Sequence, residues 1–347
     1  MIQIFWLVLS LFVPKSLSGE FWRTVTQSTE FSIKLYNNKK GVELNFAIIF
    51  AVMVGGAILI LAIYAATQFV NTGSEIYNSE IAFELGNIII PVETGLEEGK
   101  TYSFSVIDDT RIENQCSSIG VFGEQSLGVS VRNNIGKEWQ KSGVPIKSVN
   151  KYVFSEKRIE GKDFNLFVKP LELPYRVGDV IVLYSRSYCF VNPPDWIVDD
   201  VSGLNAREIN VTLDKRNCAK GSVSVCFNNE NGCNVSVVTI ENQNFGIVKK
   251  GTKNVEYYGP LVYGAIFSDK EIYDCQVLRM RKRASELASL YSTKANLVSG
   301  RGCSSGMEGA LEAYSLELKN EQVSLSSIVS ESETLGRAND KLSCELF

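Results

Sequence analysis

The longest unbroken apolar stretch, Phe46 to Ala66, reads FAIIFAVMVGGAILILAIYAA and carries no charged side chain. At 1.5 Å rise per residue a helix of that length covers roughly 30 Å, the hydrocarbon thickness of a bilayer. A helix buried in a globular core rarely runs so far without a polar face. Residues 44–70 are therefore predicted to form a single transmembrane helix. After a break at Asn71–Ser74, apolar positions recur at Tyr77, Ile81, Leu85 and Ile88, and Pro91 closes the run. That spacing predicts a short stalk helix within 71–98.

From about residue 99 the period changes. Tyr102–Ile107, Leu127–Val131, Val180–Tyr184, Ile209–Leu213, Ser222–Phe227 and Val235–Ile240 are short β-rich runs separated by turn-formers. Val223, Val225 and Phe227 alternate, and Asn228–Gly232 leads into Val235, Val237 and Thr239, which predicts a hairpin. Residues 99–267 thus read as a β-rich, sandwich-like domain. The remainder, 268–347, reads as three antiparallel helices. The first is opened by a Ser268/Glu271 capping box and stopped by Gly300 and Gly302. The second is opened by Ser305/Glu308, and the third carries Leu325, Ile328, Leu335, Leu342 and Leu346. The fold class is α+β.

Charge sets the direction across the membrane. Lys15, Arg23, Lys34, Lys39 and Lys40 precede the span, whereas no basic residue follows it until Lys100 and six glutamates intervene. Residues 1–45 carry net +2 and the rest net −6. Basic flanks stay inside, so residues 1–43 are predicted to be cytoplasmic and the C-terminal part external. The apolar run Ile2–Val13 is too short to span and lacks a basic n-region, so it reads as an interfacial stub or the product of a start codon placed too far upstream.

Composition narrows the function classes. Net charge is −4 over 347 residues, which disfavours nucleic acid as a partner. Histidine is absent, which removes imidazole-based catalysis and imidazole metal ligands. No phosphate-loop motif occurs, and no cofactor is expected. Asp108-Asp109 and Asp199-Asp200, the latter near Asp195, are the carboxylate pairs that a calcium site or a glycoside hydrolase would use; loop and capping roles are commoner. Arg279, Arg281, Lys282 and Arg283 form a basic cluster read as a solvated helix face, with an acidic glycan or a partner surface as the functional alternative.

All eight cysteines lie beyond the span, their number is even, and no C-x-x-C occurs. Four disulfides in an oxidising exterior are the simplest reading, with buried free thiols in a cytosolic core as the alternative. Cys303 at the start of the second C-terminal helix and Cys344 past the third lie at the same end of an up-down pair, so they are predicted to bridge. Cys226 and Cys233 flank the expected hairpin loop. Cys275 is assigned to the β part with Cys116 as partner, which leaves Cys189 with Cys218. Two glycosylation triplets, Asn210-Val211-Thr212 and Asn234-Val235-Ser236, fall on the same external side. Within the span, Ala47, Ala51 and Gly55 form a small-residue stripe suited to close helix approach and self-association.

Asn38-Lys39-Lys40-Gly41 directly before the uncharged span resembles the class III signal segment of archaeal pilin-like proteins. The resemblance implies cleavage between Gly41 and Val42 and packing of the apolar helix in a filament core. That family places a glutamate five residues past the cut; here the position is Phe46, and the nearby acid is Glu43. Read without the resemblance, the same residues are an uncut basic flank. The runs Gly120–Gln125, Tyr188-Cys189-Phe190 and Ile272–Cys275 resemble those of uncharacterised single-pass archaeal membrane proteins. Together these readings predict a non-enzymatic, membrane-anchored, disulfide-stabilised cell-surface protein with a binding, assembly or envelope role. Its partners are membrane lipid and a protein surface or a second copy. A processed pilin-like filament subunit and a membrane-tethered hydrolase using carboxylates are the two alternatives.

Overall fold

A computed structural model of the chain describes residues 49–65, 78, 80–83, 85, 101–132, 138–227, 232–240 and 244–347. The chain divides into two units, residues 1–67 and 68–347. In the first, residues 49–65 form a helix, α1, exposed along its whole length. Among the described residues no helix is long and apolar enough to cross a membrane. The expected span, 44–70, runs past both ends of α1. Gly41, Val42, Ala47 and the Ile2–Val13 run also lie outside the described residues, while Ala51 and Gly55 lie on α1.

The second unit contains two six-stranded sheets. The first comprises β1 (Thr101–Ser117), β2 (Glu124–Val131), β3 (Ile146–Ser148), β4 (Tyr152–Phe154), β5 (Arg158–Glu172) and β6 (Arg176–Tyr184), in the order β3-β2-β1-β5-β6-β4. β4 joins β6 in parallel, and the other pairs are antiparallel. The sheet rolls up on itself. The Gln125 side chain on β2 accepts from Val153 N on β4 at 2.8 Å, although four strand positions separate the two around the sheet. The enclosed face buries Ile112, Leu127, Val129, Val153, Ile159, Phe164, Leu166, Ile181 and Leu183. Helix α2, helical at residues 78, 80–83 and 85, adds Ala82 and Leu85 to that cluster, and Asn78 Nδ2 donates to Lys141 O at 3.0 Å. The expected stalk helix is therefore docked on the sheet. Its buried line runs through Asn78, Ala82 and Leu85, with Ile81 half-buried beside them.

The second sheet holds β7 (Tyr188–Val191), β8 (Ile209–Thr212), β9 (Val223–Phe227), β10 (Val235–Thr239), β11 (Phe245–Lys250) and β12 (Lys253–Tyr258), in the order β12-β11-β10-β9-β7-β8. Helix α3 (Asp195–Leu204) carries the chain from β7 to its parallel neighbour β8, an ordinary β-α-β crossover. The predicted hairpin is corrected here: β9 and β10 run parallel, with Val235 beside Val225 and Val237 beside Phe227. Alternation of Val and Phe is the same for either direction. What decides it is that Asn234 returns to the start of β9, where its Oδ1 accepts from Ser224 N at 2.9 Å and from Ser224 Oγ at 2.8 Å.

The two sheets do not form a simple sandwich. The run Leu261–Phe267, which the sequence reading leaves inside the β part, is a helix, α4, with all seven residues buried. It contacts β4 and β6 of the first sheet and β11 and β12 of the second. A Cβ at Gly264 would lie 2.6 Å from the Phe154 ring, so glycine is what lets α4 lie this close to β4. Phe267 meets Tyr184, Tyr188 and Phe190, tying both sheets to this helix.

Helices α5 (Lys270–Ser299), α6 (Glu308–Lys319) and α7 (Leu325–Asn339) follow, with α5 against α6 and α6 against α7. Their apolar side chains belong to the same core as the outer face of the first sheet. Boundaries differ from the capping-box reading. Ser268 Oγ turns back to Gly264 O and ends α4, so Asp269 is the N-cap of α5. Ser305 Oγ accepts from Met307 N, and α6 begins at Glu308. Helix α7 stops at Asn339, short of Leu342 and Leu346. The Asn339 amide takes over the capping of the returning tail, accepting from Leu346 N at 2.7 Å and donating to Phe347 O at 2.8 Å.

Candidate functional site

The four bridges are Cys116–Cys275, Cys189–Cys218, Cys226–Cys233 and Cys303–Cys344, with Cα separations of 5.7 to 6.4 Å. The first straps the end of β1 to α5, directly below the loop that joins β1 to β2. That loop, residues 118–123, is mounted on α5 from beneath. Arg279 is fully buried, and its guanidinium donates to Phe122 O at 3.1 Å, Lys151 O at 2.9 Å, Ser148 O at 3.2 Å and Val149 O at 3.0 Å. It also donates to Gln276 Oε1 at 2.7 Å and lies 5.0 Å from the Tyr152 ring. Lys282 Nζ adds donations to Ser118 O and Gly120 O. At Gly123, φ is +62° and a Cβ would stand 2.9 Å from Arg279 Cγ, so the loop closes over the cation only with glycine there.

Beneath Arg279 the amides continue. Gln276 Nε2 donates to Gln125 Oε1 at 2.7 Å, Gln125 Nε2 to Asn114 Oδ1 at 2.6 Å, and Asn114 Nδ2 to Ser155 Oγ at 2.8 Å. Val153, on the edge strand β4, gives its N–H to Gln125 and its C=O to Asn114, Gln125 and Gln276. Side chains thus do what a neighbouring strand would otherwise do for that edge.

The basic cluster is therefore not a solvated face. Arg281 donates to Asn320 O at 2.6 Å and Val323 O at 3.2 Å, and Arg283 Nε to Val177 O at 2.7 Å. The reason is that α5 is covered on one side by the first sheet and on the other by α6. Its cations reach loop and strand carbonyls instead of water. Burial pulls the Arg279 and Arg281 guanidinium groups below their usual range.

Above this foundation stand exposed apolar side chains. Ile119 is 87% and Val121 66% exposed, Val149 is 55% and Phe122 36%. Loops 118–123 and 148–151 are neighbours because one guanidinium holds both. Four exposed apolar side chains thus share one tip, whose two loops are held from below by the same buried cation.

The carboxylates are distributed differently from a two-acid site. Asp195 and Asp199 are exposed on α3, while Asp200 meets Lys169 Nζ at 2.6 Å and the Tyr263 hydroxyl at 2.8 Å. Asp108 and Asp109 sit where β1 slips register against β5. A second charged cluster lies at the joint of both sheets with α5. Lys250 Nζ donates to Ser268 O at 2.7 Å, and Glu156 meets Arg186 at 2.9 Å. Burial lowers the Lys250 ammonium to about 8, against the opposing pull of Asp269 and Glu156, and burial raises the Glu156 carboxyl. Among the described residues no group of three cysteine or acidic side chains is placed to hold a metal ion.

Sequence reasoning missed the tip because Arg279 and Gln276 look like ordinary surface positions of a long helix. The only hint was Gly-Val-Phe-Gly at 120–123, an apolar pair between glycines. Asn210 is exposed on β8, and Asn234 is exposed but engaged with Ser224. In comparisons with known proteins, no family model, no curated protein and no solved structure matches this chain.

Proposed function

We propose that the chain is a membrane-anchored, disulfide-stabilised protein of the cell exterior that binds a protein surface through the tip formed by Ile119, Val121, Phe122 and Val149. The observation that carries this reading is the pairing of a disulfide, Cys116–Cys275, with a buried cation, Arg279, under an exposed apolar loop. Holding the loop in one shape lowers the ordering cost of binding. Four bridges favour an oxidising compartment. The apolar run before the folded unit, flanked by lysines on its N-terminal side, supplies the anchor and the direction.

The test uses the full chain in the membranes of intact cells, carrying a tag after Phe347. External protease is expected to remove the tag, and no thiol is expected to react with a maleimide until the protein is reduced. A site-specific photo-crosslinker at Val121 is expected to give one discrete adduct that Phe122→Asp abolishes. A protected tag, or thiols that react without reduction, overturns the location; a crosslinker at Val121 that yields only solvent-quenched product overturns the binding role. N-terminal sequencing of the same material distinguishes an intact chain from one beginning at Val42.

A further inference from the structure

The two glycosylation triplets are not equivalent once folded. Asn210 is exposed on β8, the last strand of the second sheet, and nothing pairs with the outer edge of β8 among the described residues. Its backbone is turned inward: Tyr188 N donates to Glu208 O, and Asn192 N to Thr212 O. In a parallel ladder residues 208, 210 and 212 therefore face β7, and the N–H and C=O groups of Ile209 and Val211 point away from it. Leu213 is 82% exposed at the end of that edge. An open strand edge with an apolar residue on it is a template for unwanted strand pairing, which proteins blunt by covering or charging it.

Asn234 stands in the opposite situation. Its Oδ1 accepts from both Ser224 N and Ser224 Oγ, its own N–H donates to Ser224 Oγ at 3.1 Å, and its neighbour Cys233 is bridged to Cys226. That clasp sets the parallel entry of β10, so the amide oxygen is part of the fold and the side chain is pinned against Ser224.

We infer that Asn210 is the acceptor of an N-linked glycan that shields the β8 edge, and that Asn234 is left unmodified in the folded chain. The donor class is a glycan carried on a lipid phosphate. Asn210 Nδ2 forms the new bond to the anomeric carbon, the bond from that carbon to the phosphate oxygen breaks, and the lipid phosphate leaves with its electron pair. The amide proton passes to a base of the transferase. This inference rests on the external location proposed above.

Peptide mass spectrometry of the full chain, isolated from the membranes of its own cells, tests it. The peptide containing Asn210 is expected to carry a hexose-containing mass increment and the peptide containing Asn234 none. Asn210→Gln and Thr212→Ala are expected to remove the increment, Thr212→Ser to keep it, and Asn234→Gln to leave it unchanged. An increment on Asn234, or none on Asn210, overturns the inference. If the tag after Phe347 is accessible outside the cell and Asn210 is bare, this inference fails alone; if the tag is protected, the location has failed first.

Discussion

Arg279 Nε donates to the carbonyl oxygen of Phe122 at 3.1 Å, so a fully buried cation ends in the backbone of an exposed loop. The partners of that guanidinium are carbonyl dipoles from two loops and one amide side chain. A single side chain thereby couples helix α5, the rolled edge of the first sheet and the apolar tip. Arg279→Met leaves several carbonyls without a donor, and each buried orphan costs about 1–3 kcal/mol. The expected loss is at least about 3 kcal/mol in urea denaturation with the bridges intact. Arg279→Lys keeps the charge but not the fork, and is expected to recover less than half. A loss below about 1 kcal/mol for the Met variant would mean the clamp is dispensable.

The bridges should rank by the length of chain they close. Cys116–Cys275 spans 159 positions and Cys226–Cys233 spans 7. On the chain-entropy model the first contributes about 5 kcal/mol and the second about 2.5 kcal/mol, before any native-state distortion. Paired serine variants of each, compared by denaturant midpoint, are expected to keep that order. The reverse order would show that Cys226–Cys233 acts chiefly by holding β9 and β10 parallel, and the loop-length argument would be wrong.

Much of this architecture is readable from local pattern. Five strands begin and end within a few residues of alternating or β-branched runs, because a half-buried face demands that alternation, whereas Tyr102–Ile107 marks only the first part of β1, which continues to Ser117. Cys303 and Cys344 follow from helix count alone, since an up-down pair brings its outer ends together. The unreadable parts share a physical cause. Leu261–Phe267 is apolar all round because it is enclosed all round, so it has no period to detect. The direction of β10 depends on where Asn234 lands, which is a tertiary contact. Gln125, Asn114, Gln276 and Arg279 are polar residues most of whose partners lie far away in sequence, up to 157 positions for Phe122 and Arg279, although Gln276 and Arg279 themselves are three apart. Nothing local marks them as buried.

Lys250 sets a pH window for stability. Its ammonium titrates at about 8 in the folded chain against 10.5 ordinarily, so between those values the unfolded chain holds the extra proton. Unfolding free energy then rises with pH, at up to about 1.4 kcal/mol per unit for one group. Buried tyrosines oppose this only from about pH 10 upward, where the unfolded phenols lose protons that Tyr273 and Tyr184 keep. Between pH 8 and 9.5 the wild type is expected to gain on Lys250→Met, with the difference measured by thermal melts across that range. Parallel curves for the two proteins would remove Lys250 as the cause.

Asn339 and the Cys303–Cys344 bridge hold the same tail, and the coupling between them is measurable. Asn339 is buried, and its amide bonds Leu346 N and Phe347 O, which brings the Phe347 ring within 5.4 Å of Tyr175 and 5.2 Å of Tyr291. Asn339→Ala alone is expected to cost about 2 kcal/mol, from three lost bonds, one of them long, and a buried N–H left unpaired. Replacing Cys303 and Cys344 by serine frees the tail and is expected to cost roughly 3–4 kcal/mol for a closed loop of 41 positions. If the tail leaves when the bridge is absent, Asn339 has already lost its partners, and adding Asn339→Ala to the serine pair changes little. A double-mutant cycle is then expected to show a coupling of 1 kcal/mol or more in magnitude, on the order typical for residues sharing one network. Hydrogen exchange at Leu346 should lose protection in both backgrounds. Strict additivity would mean that the bridge and the amide stabilise separate parts of the C-terminal segment.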